Sequence, residues 1–224
     1  MAPGRFITFE GGEGTGKSTQ IKRLAEKLRA LGIDVVETRE PGGTPGAEII
    51  RRTILSGRVE ALGAFAETLL VYAARDDHLS EVIRPALAAG KWVLCDRFAD
   101  STRAYQGVLG GVDRNLLGTF EKSIIGKDWP DLTVILDLDP EIGLERARAV
   151  TSAEGGTASG DRFEKGELAS HKRLRDAFLA IARKEPERCV VIDASKSVDE
   201  VAEAIWLAVK DRLDLPGTAT KVAS

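Results

Sequence analysis

The stretch FEGGEGTGKSTQ at residues 9–20 gathers four glycines, two glutamates and one lysine, with Gly11, Gly16, Lys17 and Ser18 at the spacing GxxxxGK[ST]. A loop this bare lets successive backbone N–H groups turn inward on an anion. The helix that follows adds partial positive charge at its N-terminus, and the lysine reaches the outer phosphates of a nucleotide. Side chains at the glycine positions would block that approach. The expected chemistry is nucleoside triphosphate binding, with Gly11, Gly12, Glu13, Gly14, Thr15, Gly16, Lys17, Ser18 and Thr19 as the ATP contacts. The motif does not by itself choose between a kinase, an ATPase and a GTPase.

The run KWVLCDRF ends an apolar stretch on Asp96 and Arg97. Magnesium carried by ATP takes hard oxygen ligands, and a strand-end carboxylate acting with the loop hydroxyl supplies them. Ser18 and Asp96 are therefore the expected Mg2+ pair, with Asp137 the alternative. Arg39, Arg97, Arg103, Arg148 and Arg162 fall in or beside expected strand-end loops. A nucleoside monophosphate is mostly a dianion at neutral pH and needs no base to attack. The obstacle is repulsion between two polyanions, which several arginines and a metal ion relieve.

These residues need a scaffold. Short β-branched runs at 6–10, 33–38, 92–96, 133–137 and 190–193 alternate with helical patterns. That alternation predicts an α/β fold, a five-stranded parallel sheet with helices on both faces, of the P-loop NTP hydrolase type. Ligands of such sheets sit beyond the C-terminal strand ends, where the candidate residues cluster. Residues 18–31 read as an amphipathic helix with Ile21, Leu24, Ala25, Leu28 and Leu31 on one face. The low-complexity run TSAEGGTASG at 151–160 interrupts two helical patterns and reads as a mobile lid spanning about 147–163. Residues 1–213 are expected to form one domain, and 214–224 a disordered tail.

The chain has 224 residues and a net charge of −3, which gives no reason to expect a nucleic-acid or membrane-surface binder. No run approaches the ~18 apolar residues of a membrane span. Two cysteines, Cys95 and Cys189, lie far apart inside apolar runs and read as core residues, with a reducing cytoplasm as the default. His78 and His171 have no catalytic partner at suitable spacing and read as solvated surface side chains. Trp92 and Trp206 read as core or interface, and Trp129 as a loop anchor. The stretch AFAETLLVYAA at 64–74 is apolar nearly all round, which suggests burial on two sides and a dimer face.

FEGGEGTGKST, TREPGGT at 38–44, DRFADSTRAYQG at 96–107 and DRFE at 161–164 together resemble the thymidylate kinase family in its bacterial form, in order along nearly the whole chain. The resemblance implies transfer of the ATP γ-phosphoryl group to dTMP in a homodimer. It implies that Arg75 hydrogen-bonds the thymine ring, that Arg97 bridges donor and acceptor phosphates, and that Tyr105 and Gln106 lie beside the deoxyribose and base. Thr102 falls at the thymine edge and Arg39 near the acceptor phosphate. Gly14 follows Glu13, so the family pattern draws the catalytic cation from the lid, with Arg148 ahead of Arg162. Glu13 then orients an arginine or contacts the sugar hydroxyl. The aromatic that the family stacks on thymine falls at Val71, next to Tyr72, and the stacking residue is left unassigned.

Two other functions compete. A GTPase of the common kind reads guanine with NKxD, whereas the one asparagine here, Asn115, precedes Leu116. A P-loop ATPase switch would need no second nucleotide. Within kinases the alternatives are adenylate, cytidylate or shikimate kinase, against which DRFADSTRAYQG and Arg75 favour a pyrimidine deoxynucleotide.

Overall fold

A computed structural model describes residues 4–153 and 168–215. Five strands, β1 (Phe6–Glu10), β2 (Val35–Arg39), β3 (Trp92–Asp96), β4 (Leu132–Asp137) and β5 (Cys189–Asp193), form one parallel sheet in the order β2-β3-β1-β4-β5. The central strand β1 is buried along its whole length. Its apolar side chains face helices on both sides, and its one interior hydroxyl, Thr8, is matched by Thr133 of β4 at 2.8 Å. A polar group so placed would be costly without that partner.

Helix α1 (Lys17–Ala30) starts from Gly16, whose φ of +87° suits a residue without Cβ. It lays Ile21, Leu24, Ala25 and Leu28 on the main core, which α9 (Val198–Arg212) completes through Val201, Ile205 and Val209. Leu31, expected on the same face, is the helix C-cap and is 49 % exposed. β2 begins two residues later than expected, because Ile33 is tied back to the end of α1 by its N–H on Leu28 O. On the opposite face, α3 (Gly63–His78) continues through a wider turn at Leu79–Ile83 into α4 (Arg84–Ala88). Leu79 and Ile83 pack there with Val93, Cys95 and Phe98.

Helix α2 (Pro45–Leu55) precedes α3, capped by Thr44, which accepts from Ala47 N at 3.0 Å. α5 (Ala99–Thr102) and the turn Arg103–Leu109 lead to α6 (Arg114–Phe120); α8 (Leu168–Lys184) packs on β4 and β5, and α7 (Pro140–Ala153) packs on α8. α7 carries regular helix through residue 153, so the first part of the expected lid loop is helical. The remaining lid positions from 154, Arg162 and the DRFE run among them, lie outside the described residues. Leu213 and Leu215 are buried in the main core, so packing continues past residue 213. Positions 216–224 of the expected tail lie outside the described residues. Cys95 and Cys189 are both free and buried, and Trp129 is held between Arg103 and Arg188, 4.5 and 5.2 Å from its ring centroid.

Candidate active site

The loop between β1 and α1 approaches α7 backbone to backbone at Gly14 and Gly143. A Cβ on Gly14, whose φ is +65°, would lie 1.9 Å from Gly143 O, so both positions exclude a side chain. Lys17 is 8 % exposed and its ammonium lies across the loop, donating to Gly12 O at 2.7 Å, Gly11 O at 3.3 Å and Thr15 Oγ1 at 3.3 Å. Burial, with Arg97 close by, holds its pKa below the ordinary lysine value.

Ser18 Oγ donates to Asp96 Oδ2 at 2.8 Å, so the two expected metal ligands meet. Asp137, the alternative, is gripped by both Nε and Nη2 of Arg175 at 2.6 and 2.9 Å. Among the described residues no group of three or more His, Cys, Asp or Glu side chains could hold a metal. One hydroxyl beside one carboxylate fits an ion that keeps most of its shell in water and phosphate oxygens, which is the habit of Mg2+.

Arg97 stands at the centre of the site. It is the one non-glycine among the described residues with positive φ, 67°, a conformation that costs roughly 1–2 kcal/mol for a residue with Cβ. Its Nη2 donates to Glu13 Oε1 at 2.6 Å, and its Nη1 to Gly11 O at 3.0 Å and Ser101 Oγ at 3.2 Å. Tyr105 donates its hydroxyl to the same Glu13 oxygen at 2.8 Å, and its ring lies 5.2 Å from the guanidinium. Burial by itself would raise the Glu13 carboxyl, but Arg97, Lys17 and the Tyr105 hydroxyl outweigh it and hold the pKa near 2. Glu13 is therefore an anion at any working pH and cannot serve as a proton donor.

Behind Arg97 lies Glu10, fully buried at the end of β1. Its Oε1 accepts from Phe98 N at 2.8 Å and Ser101 N at 3.2 Å, and its Oε2 from Ser101 Oγ at 2.6 Å. Burial, reinforced by Asp100, raises its pKa to about 7. Through Ser101 this carboxyl fixes the turn that presents Arg97.

Two cavities meet at Glu13, Arg51 and Arg97. One runs along Gly14, Thr15, Gly16, Lys17, Ser18 and Thr19 to Arg146, Lys196 and Ser197. Gly11 and Gly12, expected to share it, line instead a separate cleft with Asp137, His171 and Arg175. Arg146, just before the expected lid, lines the first of these cavities and donates to Ala194 O at 3.0 Å. Ala147 and Ala149 line it too, whereas the side chain of Arg148 does not.

The second cavity is lined by Pro41, Val71, Arg75, Phe98, Thr102, Tyr105 and Gln106. It gathers the expected base and sugar contacts. Arg75 is 1 % exposed; Nε donates to Glu40 Oε2 at 2.8 Å and Nη2 to Thr102 Oγ1 at 2.9 Å. Its Nη1 has no hydrogen-bond partner among the described residues. A buried donor left over in a cavity wall is what an incoming acceptor would satisfy. Gln106 Nε2 donates to buried Glu67 at 2.7 Å, which orients its amide. Val71 faces the cavity, while Tyr72 packs against Phe120 at 5.0 Å between centroids.

Several expectations need correction. Arg39 does not line the second cavity, where the other expected dTMP contacts gather: it is half-exposed, pairs with Glu48 at 2.8 Å and lines an open groove beside Asp96. His78 is fully buried, and His171 is 8 % exposed in the cleft behind Glu13. Their helices, α3 and α8, turn these positions inward, which local charge did not disclose. Sequence reasoning missed Glu10, Glu40, Arg51 and Glu67. An acid ending the apolar run FITFE was a usable signal for Glu10; nothing local separates Arg51 from its neighbour Arg52.

The thymidylate kinase family model matches residues 9–205. A thymidylate kinase of Nitrobacter hamburgensis is 57 % identical over 219 residues, covering 98 % of this chain and 94 % of that protein. One from Caulobacter vibrioides is 55 % identical over 96 % of this chain and 100 % of its own length. The crystal structure of a thymidylate kinase from Ehrlichia chaffeensis superposes with a TM-score of 0.74 at 34 % identity, covering 92 % of this chain and 100 % of that one.

Proposed function

This chain belongs to the thymidylate kinase family and phosphorylates dTMP with ATP as donor, and we propose that it does so across the seam where its two cavities meet. The observation that carries this reading is that Glu13, Arg51 and Arg97 line both cavities at once. ATP lies along the loop of residues 11–19, its outer phosphates toward Lys17. dTMP lies in the other cavity with its base toward Arg75 and Thr102 and its phosphate toward Arg97 and Arg51.

The acceptor is a dianion already, so no general base is needed. The work of the site is to cancel repulsion between two anions with cations held in place beforehand. Glu13 and Ser101 hold Arg97 for that purpose, and Lys17 supplies a second charge from the loop. Ser18 and Asp96 are suited to hold Mg2+, which adds positive charge at the phosphates when bound. The thymine ring sits against Val71 and Phe98 rather than on an aromatic of α3. Tyr105 narrows the sugar end of the cavity, which disfavours a 2′-hydroxyl. Arg146 is the lid-helix cation best placed to reach ATP; Arg148 and Arg162 remain candidates for the closed state.

The active form is a homodimer in the cytoplasm. Its face is the stripe Leu62, Phe65 and Leu69 at the start of α3, exposed by 69, 53 and 43 %. An apolar stripe of this kind favours a partner surface over water.

The test is a coupled ADP-release assay across dTMP, dUMP, dCMP, AMP and shikimate. dTMP is expected to give the highest kcat/KM. Turnover favouring AMP, or ADP release independent of any acceptor, would overturn the reading.

A further inference from the structure

The motif TREPGGT wraps around one imidazole. His78, 0 % exposed on α3, meets Glu40 Oε1 through Nδ1 at 3.0 Å and Thr38 Oγ1 through Nε2 at 2.7 Å. Gly43, with φ of +89°, is packed so closely that a Cβ there would lie 2.6 Å from His78 Nε2. Its neighbour Asp77 accepts from the Thr44 hydroxyl, tying the far end of the same loop to α3. Three motif residues at 38, 40 and 43 thus converge on a side chain that touches neither cavity.

Geometry orients the ring: Nδ1 faces the Glu40 carboxyl and Nε2 the Thr38 hydroxyl, so the Nδ1–H is the hydrogen directed at Glu40. Glu40 spends its other oxygen on Arg75 Nε at 2.8 Å. The guanidinium is then held at two of its three nitrogens, by Glu40 and by Thr102, with Nη1 left over.

We infer that His78 is a positioning residue for base recognition: it fixes Glu40, and through Glu40 it aims the Arg75 guanidinium into the acceptor cavity. The inference rests on the reading of Arg75 as the base contact. A carboxylate free to rotate would let the guanidinium turn away, since planar fork geometry is what makes an arginine contact directional. His78 touches no substrate, so its effect falls on dTMP binding and not on phosphoryl transfer.

Two amide substitutions separate the ring's halves. In His78→Asn the amide nitrogen falls near the place of Nδ1 and still donates to Glu40. In His78→Gln the amide reaches the place of Nε2 and the donor to Glu40 is lost. Calorimetric titration of the full chain with dTMP, beside steady-state kinetics, should show Kd and KM for dTMP rising about tenfold or more in His78→Gln, the size of one charged hydrogen bond. KM for ATP and kcat at saturating dTMP should stay within about threefold, and His78→Asn should recover most of the dTMP affinity. A purely structural role would lower the melting temperature of both variants and leave KM for dTMP alone. The inference is overturned if His78→Gln binds dTMP as tightly as the wild type, or if His78→Asn is impaired as severely as His78→Gln. Arg75→Lys is the control: unchanged dTMP affinity there would sink the Arg75 reading itself, whereas an impaired Arg75→Lys beside a normal His78→Gln sinks only the role of His78.

Discussion

Replacing Arg97 by alanine and, separately, by glycine tests the claim that a strained backbone is tolerated for the sake of a placed charge. Both changes remove the bonds to Glu13, Gly11 O and Ser101 Oγ, at 2.6, 3.0 and 3.2 Å. Both therefore remove one preorganised cation, worth roughly 10²–10³ in kcat. They differ in the backbone. Alanine must still adopt a φ of +67°, whereas glycine takes it without strain. The relief is about 1–2 kcal/mol, offset by about 0.4–1 kcal/mol of extra unfolded-chain entropy that glycine carries. The net advantage of glycine is about 1 kcal/mol, or about 2–4 °C in melting temperature for a domain of this size. ADP release at saturating ATP and dTMP, with scanning calorimetry of both variants, supplies the two readouts. Either variant retaining kcat within about tenfold of wild type would refute the charge argument. An alanine variant as stable as the glycine one would refute the strain argument.

Lys17→Ala should lower turnover by about 10²–10³ in the same assay, and near-native kcat would remove Lys17 from the mechanism. Asp96→Asn should raise the Mg2+ concentration needed for half-maximal activity while Asp137→Asn does not, because Asp137 is held by Arg175; the reverse ranking would reassign the metal site. Glu10, raised from 4.5 to about 7, favours the folded state in its protonated form, so its contribution is fully present below pH 4.5 and is lost as pH rises through about 7. Between pH 5 and 8, urea unfolding should therefore show the wild type losing up to about 3 kcal/mol more stability than Glu10→Gln, and parallel curves would refute the shift. Leu69→Lys should shift sedimentation at micromolar concentration from dimer to monomer; a wild-type chain that is itself monomeric would remove the dimer.

What could be read from the chain alone was what short-range patterns encode. The glycine spacing of residues 11–18, the apolar runs of the five strands and the acid ending β3 each depend on neighbours a few positions away, and each was found within a residue or two of its place. The order β2-β3-β1-β4-β5 then brings the ends of β1 and β3 side by side, which is why Ser18 and Asp96, 78 positions apart, meet at 2.8 Å. Local pattern did not reach the buried charges. Glu40, Glu67 and His78 look like solvated residues in a window of ten, and only packing from distant segments removes them from water and supplies their partners. Arg39 and Arg51 show the converse: both are basic residues near the same motif, yet the fold turns Arg39 onto Glu48 in an open groove and Arg51 into the junction of the cavities. A side chain's chemistry is written in the sequence, but its desolvation and the direction it faces are set by the tertiary contacts around it.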